Sequence, residues 1–411
     1  MNVNLIRAVD KWVGIPACFC ISSVYGALAR CKRRCPRPDR IQTPGNILFI
    51  ELSEMGSTVI AYPAMRYVQA RYPGAKLHFL TFQQNRFSVD ILDVVPPDRI
   101  ITIDVGSPDR FLFSTLGAVN AIRNARIDTV FDLELFSRFS ALLTGVSGAQ
   151  RRVGYGKYQE EGLYRGTLMT HRVFYNCHQH MWKNFMALVR AIEREGEYPL
   201  VKEAVSEANL VLPSYVSSQE DKDRLMERLA AFSSAVRDAQ YVVVMNPSAG
   251  SLLPIRAWPV ENYRALAERI IERWDAVIVL IGLEDARDAA AILCEQVGKL
   301  RCIDFTGQTS FKDLMDLMNL GHALVTADSG PAHFAALTKI HNIVLFGPET
   351  PTLYKPLGNH ATALFAGLSC SPCLSAYNHR DTRCADPQCM KAITVDAVFD
   401  ALSSALSGIP D

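Results

Sequence analysis

Thr326-Ala327-Asp328-Ser329-Gly330-Pro331-Ala332-His333-Phe334-Ala335-Ala336-Leu337 reads as the end of a strand, a tight turn and the start of a capped helix. The apolar run Ala323-Leu324-Val325 before it is a buried strand, Gly330 permits a sharp turn, and Pro331 suits a first helical turn, where its missing N–H costs nothing. Free N–H groups at such a helix start, with the positive end of the helix dipole, favour a phosphate, and His333 one turn in adds a hydrogen bond or a charge. An ordinary capped helix of an α/β fold has the same local pattern, so the neighbouring segments decide.

Those neighbours are two further strand-loop units. Tyr241-Val242-Val243-Val244-Met245 is a compact strand running into the polar loop Asn246-Pro247-Ser248-Ala249-Gly250-Ser251. Arg256-Ala257-Trp258-Pro259 then leads into a helix, Ala276 to Gly282 gives the next strand, and Asn342-Ile343-Val344-Leu345-Phe346 ends at Gly347-Pro348-Glu349. The polar loops fall at the carboxyl ends of strands, where open parallel sheets bind ligands. The first half repeats the alternation. Strands are expected at Asn46 to Glu51, Lys76 to Leu80, Ile100 to Ile103 and Thr129 to Leu133, with helices over Ser57 to Arg71 and around Leu116 to Arg126, and Tyr72-Pro73-Gly74 as a stop. Such alternation predicts parallel sheets covered on both faces.

Four elements in order carry a family resemblance: Ser53-Glu54-Met55-Gly56-Ser57, Arg256-Ala257-Trp258-Pro259, Asp328 to His333, and Phe346-Gly347-Pro348. With them the chain resembles glycosyltransferase family 9, the family of the lipopolysaccharide heptosyltransferases, over nearly all its length after about residue 45. The resemblance implies an α/β chain of GT-B fold, two Rossmann-like domains with parallel sheets facing across a cleft. It also implies inverting, metal-independent transfer from a nucleotide sugar. Domains are expected at 45–200, for the acceptor, and 240–411, for the nucleotide sugar, joined by the polar segment 201–239.

The resemblance also assigns roles. Arg256 stands at the family's basic position before Trp-Pro and would pair with the diphosphate, helped by the N–H groups of Ser329 and Gly330. Ser248 and His333 join the donor site, Glu284 is the choice for the ribose, and Asp328 either caps or orients the junction. The base is the departure. Heptosyltransferases carry an Asp directly after the Gly of the opening loop, where this chain has Ser57, whose hydroxyl stays protonated near neutral pH. Glu54 is the expected base, with Glu51 its competitor, because a Glu at the end of a buried strand has a raised pKa suited to accepting a proton. Glu54 as a plain helix cap is the alternative.

Length and charge agree. The 411 residues are 49 % hydrophobic, enough for two cores, and the net charge of +1 gives no global field for nucleic acid. No Gly-x-Gly-x-x-Gly loop follows an opening strand, as a dinucleotide-dependent oxidoreductase would need. The leader, 1–40, has an apolar middle from Trp12 to Ala29 and a basic end, Arg30 to Arg40. Three readings compete: an interfacial anchor with Arg30, Lys32, Arg33 and Arg34 against anionic lipid, a single membrane span, and a signal or core helix, with Ala27-Leu28-Ala29 as a cleavage site. Among the 11 cysteines, Cys18, Cys20, Cys31 and Cys35 sit in or beside this leader, where acylation is thinkable. The tail set Cys370, Cys373, Cys384 and Cys389 suggests a structural cluster held by zinc, disulfides or neither. His178 and His180, two apart, would not chelate together and read as the start of a helix through Trp182.

The expected protein is therefore a glycosyltransferase without a cofactor, at the cytoplasmic face of the inner membrane. Its donor would be a nucleotide sugar, ADP-heptose among the candidates, and its acceptor a lipid-linked or envelope glycan. A catalytically inactive nucleotide- or glycan-binding homologue is the alternative.

Overall fold

The computed structural model describes residues 10–32, 43–156, 164–250, 253–378 and 380–407. The chain divides into two compact units between Val211 and Leu212, inside the polar stretch 201–239. Each unit is a six-stranded, wholly parallel sheet.

In the first unit β1 (Asn46–Ile50), β2 (Lys76–Phe82), β3 (Ile100–Ile103), β4 (Thr129–Asp132), β5 (Arg151–Tyr155) and β6 (His171–Val173) lie in the order β3-β2-β1-β4-β5-β6. In the second, β7 (Tyr241–Asn246), β8 (Ala276–Leu280), β9 (Cys302–Asp304), β10 (Ala323–Ala327), β11 (His341–Phe346) and β12 (Ala361–Phe365) repeat it as β12-β11-β10-β7-β8-β9. Both are the doubly wound order of a Rossmann sheet. Each has one place where the chain leaves neighbouring strands in opposite directions, between β1 and β4 and between β7 and β10. That crevice is where such sheets bind ligands.

The register follows from burial on both faces. Ile47, Leu48, Phe49 and Ile50 are fully buried against Leu77 to Leu80 on one side and Thr129 to Asp132 on the other. In the second unit Val243, Met245, Ile278, Leu280, Val325 and Leu345 form the core beneath the helix Val260–Arg273. Runs rich in Val, Ile and Leu with no alternating polar face belong to strands covered on both sides.

The leader departs from its expectation as a separate element. Residues Gly14–Lys32 form a helix whose inner side packs on the helix Arg138–Val146. Cys18 is fully buried, the Tyr25 hydroxyl donates to the Gly145 carbonyl at 2.5 Å, and Ser22 Oγ accepts the Thr167 N–H at 2.8 Å. Arg138, 1 % exposed, pairs with Asp10 at 2.9 Å and donates to the Tyr164 carbonyl. A buried guanidinium holds its position only while its charge is matched, so this end of the leader belongs to the unit's core. Among the described residues no helix is long and apolar enough to cross a membrane, which removes support for the single span over the helix Gly14–Lys32. Cys35 lies outside the described residues.

Candidate active site

At the first crevice, β1 delivers Glu51 and the loop Leu52–Glu54, and β4 delivers Asp132, Leu133 and Glu134. Glu134 accepts the N–H of Leu52 at 2.7 Å, the N–H of Ser53 at 3.1 Å and the Ser53 hydroxyl at 3.2 Å. One carboxylate from β4 thus clamps the turn that leads into the helix Met55–Arg71. Glu51, 4 % exposed, accepts the Glu54 N–H at 3.4 Å. Ser57 Oγ donates to the Glu54 carboxylate at 3.0 Å. Glu54 occupies the N-cap position of that helix, as its cap alternative expects, though without a side-chain capping bond.

The electrostatics follow from crowding acids in a crevice. Burial, with Glu134 and Glu54 nearby, pushes the Glu51 carboxyl well above its ordinary range. Burial also raises Glu134 to about 7, against the lowering effect of its N–H bond from Leu52. Asp132, raised by burial, is ion-paired with the buried Arg165 and accepts from Ser140 Oγ at 3.0 Å. Glu54 is half-buried, with the Ser57 hydroxyl donating to its carboxylate. Glu134 was missed from sequence; its signal was a second acid two residues after Asp132 at a strand's carboxyl end.

At the second crevice, β10 leads directly into Asp328 and the six-residue helix Gly330–Ala335. Ser329, rather than Asp328, is the N-cap, so the capping reading of Asp328 is corrected: its carboxylate, 5 % exposed, pairs with Arg256 at 3.3 Å. Thr326 Oγ1 and Ser329 Oγ are 3.0 Å apart. Gly330 lies inside the helix, and a Cβ on it would meet nothing within 4 Å, so the turn does not require glycine, and the space beside it is open. A helix this short carries little dipole, which shifts anion recognition onto Arg256.

Arg256 is held from behind. Two residues on, Trp258 is buried, donates to the Ile393 carbonyl at 2.9 Å and meets Tyr263 edge-on at 5.0 Å. Tyr263 in turn donates to the Asn246 carbonyl at the end of β7, at 2.8 Å. The guanidinium so anchored has its Nε buried with no hydrogen-bond partner. Ser248 Oγ accepts the Gly250 N–H at 2.9 Å, and Gly250 needs its left-handed φ of 77° to close that loop. His333 is buried beside this junction, whereas Glu284 is exposed on a short turn and paired with Arg287 at 2.9 Å.

The tail cysteines are joined by neither a disulfide nor, among the described residues, a metal-binding group. Cys370 and Cys384 are exposed, Cys373 is half-buried, Cys389 is buried against Gly347, and all four are free thiols. Among the described residues no group of three or more His, Cys, Asp or Glu could hold a metal ion. His180 caps the helix Met181–Arg190, its Nδ1 accepting the Trp182 N–H at 3.2 Å.

Comparison with known proteins places the chain in a family. The model of glycosyltransferase family 9 (heptosyltransferase) matches residues 118–382. Lipooligosaccharide heptosyltransferase 2 of Haemophilus influenzae is 33 % identical over 113 residues, 27 % of this chain and 33 % of that protein. The chain thus spans about a third of the length of the first such relatives it matches. Lipopolysaccharide core heptosyltransferase OpsX of Haemophilus influenzae is 20 % identical over 325 residues, 77 % of this chain and 83 % of its own. The solved ADP-heptose lipopolysaccharide heptosyltransferase II of Escherichia coli superposes with a TM-score of 0.67 at 21 % identity, covering 88 % of this chain and 98 % of that one. A family 9 glycosyltransferase of Veillonella parvula gives 0.68 at 17 % identity, covering 89 % and 98 %. The fold is of the GT-B class, and the chain belongs to glycosyltransferase family 9.

Proposed function

We propose that the protein is an inverting glycosyltransferase, working without a metal, that moves a sugar from a nucleoside diphosphate donor to a lipid-linked or envelope glycan. Heptose carried on ADP is the first candidate donor and the lipopolysaccharide core the first candidate acceptor, in line with the names of the relatives. The observation that carries the reading is the Arg256 guanidinium, anchored through Trp258, braced by Asp328, and left with a buried Nε that has no partner. A planar cation with spare donors beside an open glycine suits a diphosphate.

In this account the acceptor hydroxyl gives its proton to Glu54 as its oxygen attacks the anomeric carbon from the side opposite the diphosphate. The bond from that carbon to the diphosphate oxygen breaks, its electron pair leaves with the diphosphate, and Arg256 with the Ser329 and Gly330 N–H groups meets the charge. Ser57, at the position where heptosyltransferases carry the Asp, orients Glu54 as the base through its hydroxyl. Ser248, His333 and Glu284 are assigned to the donor. Acting on a lipid-linked acceptor, the enzyme works peripherally at the cytoplasmic face of the inner membrane.

The test is turnover of a panel of nucleotide sugars, ADP-heptose included, with and without EDTA, reading the anomeric configuration of the product by NMR. Transfer with inversion, unaffected by EDTA, is expected. Tight nucleotide binding with no turnover in the presence of lipopolysaccharide-core acceptors would instead make the protein a binding homologue.

A further inference from the structure

The outer face of the leader helix is apolar. Gly14, Cys18, Ser22 and Tyr25 point into the first unit, while Phe19 and Val24 on the helix, with Trp12 and Val13 just before it, face outward, each more than half exposed. A second such face lies on the helix Pro108–Asn124, where Leu112, Phe113 and Leu116 are also more than half exposed. The helix Arg138–Val146 lies between the two. Phe139 stacks obliquely on Phe111 at 5.1 Å, and Arg123 Nε donates to the Val146 carbonyl at 3.1 Å, while Cys18 and Tyr25 pack on its other flank.

Topology sets both patches on one side of the sheet. Right-handed crossovers from β3 to β4 and from β4 to β5 put their helices on the same face, and both helices start at the carboxyl edge that carries the Glu51–Ser57 loop. Leu112, Phe113 and Leu116 lie in the first half of one helix. Trp12 lies beside the start of the other, since Asp10 meets Arg138 there.

Charge is divided just as unevenly. Residues 1–40 hold eight Lys or Arg and two Asp, a net +6, and because the whole chain is +1, residues 41–411 sum to −5. Six of those cations fall in residues 30–40, directly after the apolar face.

We propose that this composite surface, made jointly by the leader helix and the helix Pro108–Asn124, lies on a bilayer containing anionic lipid. Apolar side chains on two helices enter the acyl boundary, and the net positive charge of the leader sequence favours anionic headgroups. A second copy of the chain is a poorer occupant, because a two-fold contact through this face would bring two +6 leaders together. Nucleic acid would leave the exposed aliphatic and aromatic side chains in water. The proposal stands apart from the transfer reaction: it rests on exposure and charge alone, and it presents the Glu51–Ser57 edge to the membrane.

The experiment is flotation of the full chain with vesicles of phosphatidylcholine, with or without phosphatidylglycerol, alongside tryptophan emission. Trp182 and Trp258 are buried and Trp274 is partly buried, stacked on Phe399, so a blue shift abolished by Trp12→Phe reports Trp12. The chain is expected to float with the anionic vesicles, to shift the Trp12 emission, and to detach as salt rises. Phe113→Ser/Leu116→Ser and Trp12→Ser/Phe19→Ser should each weaken partitioning roughly tenfold without moving the melting temperature, since these side chains are exposed. No flotation of the wild type, flotation of the Phe113/Leu116 variant as strong as wild type, or equal binding to neutral vesicles would overturn the proposal. So would a lipid-free dimer in which Trp12 is already shielded.

Discussion

The two crevices occupy equivalent places in equivalent sheets, yet they use opposite chemistry. Between β7 and β10 a cation is braced by one acid and anchored through an indole, in segments that the family resemblance picks out. Between β1 and β4 three acids, Glu51, Glu134 and Asp132, are drawn into one turn, with Glu54 beside them, and the family's Asp is replaced by Ser57. One topology gathers a braced cation at one crevice and a cluster of acids at the other, which the proposed reaction uses as a cradle for the departing anion and as a proton acceptor. The switch point supplies only the place, and the sign of the charge delivered there by the strand ends decides the use.

Arg256→Ala should widen the contrast most. Donor kcat/KM should fall roughly 100-fold or more, with Arg256→Lys recovering only part, because a point charge replaces a planar fork. Asp328 then loses its buried counter-charge, so the double variant Arg256→Ala/Asp328→Asn should melt higher than Arg256→Ala while staying as inactive.

The acid-rich crevice should reveal itself through pH. Glu134 is raised from the ordinary 4.5 to about 7, so between those values the folded protein binds more protons than the unfolded chain. The contribution is present in full below about 4.5 and lost as pH rises through 7, by up to roughly 3 kcal/mol for this group. Urea unfolding at pH 5 and pH 8 should show that fall, and Glu134→Gln should flatten it. A stability that instead rises across this window would contradict the buried-acid reading. Glu134→Gln should also slow turnover through the loop, which loses the anion holding the Leu52 and Ser53 N–H groups.

Smaller effects probe the anchors. Trp258→Phe removes the bond to the Ile393 carbonyl and part of a packed indole, a loss of about 2 kcal/mol in unfolding free energy, with donor KM raised as Arg256 loosens. Tyr25→Phe removes the hydroxyl that ties the leader to Gly145 and should cost about 1 kcal/mol without touching turnover.

Much of the fold was legible because buried parallel strands announce themselves. The apolar runs at Asn46, Lys76, Tyr241, Ala276, Ala323 and Asn342 each form a strand where read. β5, β6 and β9 escaped because they are short or carry charge: Arg151 and Arg152 open β5, and β6 and β9 have three residues each. The donor crevice could be read since its residues lie within motifs. Glu134 could not, because its bond to Leu52 spans 82 positions and exists only once β4 lies beside β1. The docking of the leader was hidden for a similar reason. Small inward residues at Gly14, Cys18 and Ser22, four apart, hinted at close helix packing, but the partner Arg138 reads as an exposed cation until Asp10 and Tyr164 enclose it.

The central claim is that the second unit holds the donor while Glu54 of the first takes the proton. Its most direct test sets ADP affinity by calorimetry beside the transfer rate from ADP-heptose for wild type, Glu54→Gln and Arg256→Ala. The account predicts that Glu54→Gln binds ADP like wild type yet transfers on the order of 100-fold more slowly, or worse, while Arg256→Ala loses affinity. A Glu54→Gln protein that transfers at the wild-type rate, or that loses ADP affinity as Arg256→Ala does, would contradict it.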